Sequence, residues 1–77
     1  MKAPSSTQTQ RASIQRLFRR LELPTDRTCL LHQRHFRAAR LAAPDPDQRV
    51  DAVLADLSID DASALLDALI RDIEEVA

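Results

Sequence analysis

The side chains best suited to chemistry lie close together: Cys29, His32 and His35 stand within the stretch "CLLHQRHFRAAR", Cys29 to Arg40. Thiolate and imidazole are both zinc ligands, and the spacing C-x2-H-x2-H invites that reading. On one continuous helix, two steps of three residues turn the chain by about 600°, which leaves Cys29 and His35 roughly 120° apart. They do not converge on one ion and no fourth ligand is defined, so no metal or other cofactor is expected. Cys29 with His32 also has the types of a nucleophile and its base. No carboxylate is placed to orient the histidine, and a chain of 77 residues without glycine is poorly equipped to build an oxyanion hole or to wall off a substrate. The expectation is a non-enzymatic protein with a partly buried thiol and two histidines on a helix surface. The absence of glycine also speaks against phosphate-cradling loops and dinucleotide fingerprints.

Charge is the second chemical resource. From Met1 to Ala43 nine Lys or Arg oppose Glu22 and Asp26, a balance of +7; from Pro44 onward ten Asp or Glu oppose Arg49 and Arg71, a balance of −8. Either the halves pair within the folded domain, or each is a docking surface. Arg16, Arg19, Arg20, Arg34 and Arg37 are the candidate basic contacts, for protein or nucleic acid. Asp45, Asp47, Asp51, Asp56, Asp60 and Asp61 form the candidate acidic patch, a set able to imitate a phosphate backbone in a basic groove. A helix, the short "LPTD" turn and a second helix outline a helix-turn-helix, in which Arg27, Gln33, Arg34 and Arg37 could reach phosphates and base edges. Against DNA stand the missing turn glycine, the ten acids in so small a domain, and the lack of Tyr or Trp for stacking.

The elements that position these groups follow from apolar spacing. Residues 1–6, with Pro4, read as a flexible leader, and 7–77 as a single helical domain. Thr7 and Gln10 form a capping box ahead of the stripe Ile14, Leu17, Phe18 and Leu21, and that helix stops near Leu23 before Pro24. Thr25 or Asp26 caps a second helix to about Ala42; its stripe is Cys29, Phe36, Ala39 and Ala43, with Leu31 and Ala38 beside it and His32 at its border. Asp45 as cap, Pro46 at the first helical position and Gln48 closing a box start a third helix, with Val50, Val53, Leu54 and Leu57 inward. Ser58 and Asp61 open a fourth, whose apolar face is Ala62, Leu65, Leu66, Leu69, Ile70, Ile73 and Val76. Asp67 and Arg71 are spaced for an i, i+4 pair. Glu74 and Glu75 oppose the macrodipole at its C-terminus, so a basic group should offset them, with Arg16, Arg19 and Arg20 as candidates. The reading is all-α: a compact bundle of four short helices near Thr7 to Leu23, Asp26 to Ala42, Pro46 to Asp56 and Ile59 to Val76.

Gln10, Ile14 and Leu17, followed at a distance by Leu57, Ser58, Ala62, Ser63, Leu65, Leu66, Asp67 and Leu69, resemble a pattern of small phage and mobile-element proteins, including the Mu-type Gem regulatory family. The likeness covers about half the chain, at its two ends, and its positions are mostly cap and core. It implies a phage-type regulator that binds a host protein of the transcription or nucleic-acid-handling machinery and alters its activity. No stretch resembles a membrane span or signal peptide, so a cytoplasmic protein is expected, and with so small a core a second copy of the chain is an alternative partner.

Overall fold

The computed structural model describes residues 5–76, and among these the chain forms four helices: α1 (Gln8–Arg20), α2 (Leu30–Ala38), α3 (Val50–Ala55) and α4 (Ile59–Val76). The all-α bundle expected from the sequence is what is found. The radius of gyration of 11.4 Å equals the value of about 11.5 Å for a globule of this length. The core is a single cluster of Ile14, Phe18, Phe36, Val50, Leu54, Ala62, Leu65 and Leu69. Burying each of its larger side chains contributes about 1.5–3 kcal/mol.

The long α4 carries the packing. Gln10 Nε2 donates to Ile59 O at 3.1 Å, so α1 and α4 begin at the same end. At the other end Leu21 and Leu23 share a cleft with Asp72, so the two helices run parallel. The α2 helix returns antiparallel, placing Arg34 and His35 against Asp72 and Ala38 against Ala64. The Thr7–Gln10 capping box forms in both directions, at 3.0 and 2.9 Å. Ser58 Oγ accepts from Asp61 N at 3.0 Å, as its spacing predicts.

Helices α1 and α2 end alike. Leu23 N donates to Phe18 O and Glu22 N to Arg19 O; eighteen residues on, Leu41 N donates to Phe36 O and Arg40 N to Arg37 O. These are two Schellman motifs, each with its Leu packed back on the core and its Phe buried in it. The turn residue adopts a left-handed conformation that favours glycine, yet the chain has none and places Glu22 (φ 61°) and Arg40 (φ 60°) there.

Four expectations are corrected. The α2 helix starts at Leu30, not Asp26, because Arg27 pairs with Arg49 in an antiparallel bridge that keeps Asp26 to Thr28 extended. It ends at Ala38, not Ala42, at the second Schellman turn. The α3 helix starts at Val50, since Thr28 takes the groups expected to cap it: Thr28 Oγ1 donates to Asp45 O (2.7 Å) and accepts from Gln48 N (3.0 Å). Ile70 is 43% exposed rather than inward. Of the expected leader, residues 1–4 lie outside the described part, as does the side chain of Val76. Ser5 pairs with Ser58 in a bridge, and Ser6 is buried, its hydroxyl donating to Leu54 O at 2.6 Å.

Candidate interaction surface

Helix α2 inverts the usual arrangement: it buries His32, His35 and Phe36 and leaves Leu30 69% and Leu31 62% exposed. Helical geometry accounts for this once Phe36 is fixed inward. Measured from Phe36, His32 and Ala39 lie within about 60° and His35 at about 100°, whereas Leu30 and Leu31 stand about 120–140° away. The leucine expected beside the apolar stripe therefore points outward.

Polar partners allow the histidines inside. Cys29 N donates to His32 Nδ1 at 2.9 Å, which leaves the ring proton on Nε2 to donate to Pro24 O, also at 2.9 Å. His32 thus stands where Glu or Gln would close a capping box, with Cys29 as N-cap and Phe18 edge-on at 4.9 Å between ring centres. His35 Nε2 donates to Asp72 Oδ2 at 2.8 Å, and Arg34 Nη2 to Asp72 Oδ1 at 3.1 Å. The hydrogen bond from His35 holds the Asp72 carboxyl below its ordinary value of 3.8; burial opposes this and the Arg34 charge adds to it. Both histidines are therefore committed to different partners. Among the described residues no three His, Cys, Asp or Glu side chains gather as a metal site. His35 Nδ1 is buried and has no hydrogen-bond partner among the described residues.

The exposed leucines border a cleft of about 420 Å³ lined by Leu21, Glu22, Leu23, Leu30, Leu31 and Arg34, with His35 and Asp72 behind them. Arg71 and Glu75 join Arg34 in a smaller adjoining cavity of about 170 Å³. The sequence reading set Leu31 beside the apolar stripe, although five residues separate it from Phe36 and turn it about 140° away. A wheel anchored on Phe36 alone would have found both leucines.

The charged candidates are mostly exposed and unshared. Arg16, Arg19 and Arg20 lie on successive turns of α1, exposed, with no carboxylate within 4.0 Å among the described residues. Arg37 is also unpaired, its guanidinium reaching only Gln33 Oε1 at 3.4 Å. Arg34 alone is committed, to Asp72. Among the acids, Asp47 lies 3.6 Å from Arg27 and Asp51 3.3 Å from Arg49, while Asp45, Asp56, Asp60 and Asp61 have no ion pair among the described residues. The α1 arginines expected to offset Glu74 and Glu75 do not pair with them, although α1 and α4 pack together, and Asp67 and Arg71 stay apart. Arg19 and Arg20 sit in the last turn of α1, where they face that helix's own C-terminal dipole. Among the described residues no helix is long and apolar enough to cross a membrane. No family model, curated protein or solved structure matches the chain.

Proposed function

We propose that this chain is a non-enzymatic regulator or inhibitor that acts by binding another protein, with the arginines of α1 as its principal charged contact. The observation that carries this reading is the unshared charge: Arg16, Arg19, Arg20 and Arg37 of one sign, and Asp45, Asp56, Asp60 and Asp61 of the other, remain exposed or half-exposed with no ion pair among the described residues. A fold that used its +7 and −8 halves for internal neutralisation would have closed more than the few bridges present. Signed, solvated surfaces steer encounter and fix orientation in a complex. The resemblance to the Gem-type regulators supports a cytoplasmic host protein of the transcription or nucleic-acid-handling machinery as the partner, and a phage or mobile element as the source. The acids spread over the α2–α3 connection, α3 and the start of α4 suit a basic groove on such an enzyme.

Two features weigh against DNA reading by α2. A recognition helix presents its N-terminal residues to base edges, and here those are Leu30 and Leu31, with Arg34 engaged by Asp72. The test is capture of the partner from host lysate on immobilised protein, wild type beside R16E/R19E/R20E. The account expects a partner retained by the wild type, released by raised salt, and lost on the triple variant. Equal retention by both proteins would contradict it.

A further inference from the structure

The charged surfaces leave the leucine end of the bundle without a role, and we infer that it is the interface through which two copies of this chain associate. Leu30 and Leu31, 69% and 62% exposed, form one wall of a recess of about 420 Å³ whose other wall holds Leu21 and Leu23. Exposed leucines and recess thus lie on one surface. A two-fold axis through it lets each copy insert its leucines into the other's cleft, which is the self-complementarity an isologous contact requires.

The rim argues for the same occupant. It carries both signs: Arg34, 74% exposed at its side chain, and Arg71, interspersed with Glu22 and Glu75. Glu22, Arg71 and Glu75 are exposed and have no ion pair among the described residues. A partner of single sign would leave half of these charges opposed by like charge. A second copy presents the same mixture of signs, so acids can meet arginines across the contact. A contact of ordinary size, about 800 Å² per copy, would cover roughly 15% of the 5381 Å² surface. That adds substantially to the small core of an 8.7 kDa chain.

The experiment is sedimentation equilibrium of the full chain over a concentration series, wild type beside L30S/L31S, with helicity and thermal unfolding of both recorded. Both leucines are exposed, so the variant is expected to keep its fold, and L31R alone serves as a second probe. The expected result is a wild-type mass rising to twice 8.7 kDa, with the dimer dissociation constant raised at least tenfold in either variant. A folded wild type that stays monomeric throughout, or a dimer insensitive to both variants, would overturn the inference. Neither outcome touches the α1 arginines, so the proposed regulatory function stands or falls separately.

Discussion

Asp72 is the residue that fastens α2 to α4 through polar bonds. One carboxylate holds both His35 at 2.8 Å and Arg34 at 3.1 Å, tying α2 to α4 across the chain. A hydrogen bond between a buried group and a charged one is worth about 1.5–3 kcal/mol, so Asp72→Ala should lower unfolding stability by that amount in a denaturant titration. The pH dependence has a definite sign. Because the folded value of Asp72 is depressed, the unfolded chain takes up this proton at a higher pH than the folded one. Its contribution is complete above the ordinary carboxylate range and is lost as pH falls through the folded value. Asp72→Asn should therefore flatten the acid limb of stability against pH, and an unchanged limb would assign acid unfolding to other carboxylates. The pairing was not legible in the sequence, since 37 residues separate His35 from Asp72 and no local spacing links them.

At the scale of elements, spacing and capping were legible wherever a helix is set by its own residues. The α1 box, the Ile14–Phe18 stripe and the Leu65–Leu69 face of α4 lie where period and caps place them. The start of α2 was not, because Thr28 is consumed by long-range bonds to Asp45, Asp47 and Gln48 that an extended segment must make. The repeated endings were visible in retrospect: "FRRLEL" and "FRAARL" each place Phe, then Leu five residues later, around a turn. Both turns use a costly residue. A non-glycine residue in the left-handed region costs about 1–2 kcal/mol, part of which glycine returns as entropy in the unfolded chain. Arg40→Gly should consequently raise stability by about 0.5–1 kcal/mol, read as a higher denaturant midpoint at unchanged slope. A lower midpoint would mean that the Arg40 side chain makes a contribution its exposed position conceals.

Across the whole molecule, the division of charge along the chain survives folding as unpaired surface. That the halves carry opposite sign was plain from the sequence; that they leave most of it unshared was not, because it depends on which helices pack and in which direction. Parallel α1 and α4 bring their C-terminal ends to the same end of the bundle, yet Arg16, Arg19 and Arg20 form no ion pair with Glu74 or Glu75. The central claim is that these arginines meet a protein and do not track a phosphate backbone. It is tested most directly by titrating duplex DNA with the purified chain across a salt series. The expected result is no saturable complex at physiological salt, and no difference between wild type and R16A/R19A/R20A. Tight binding that weakens steeply with salt and disappears in the triple variant would contradict it and assign the basic face of α1 to nucleic acid.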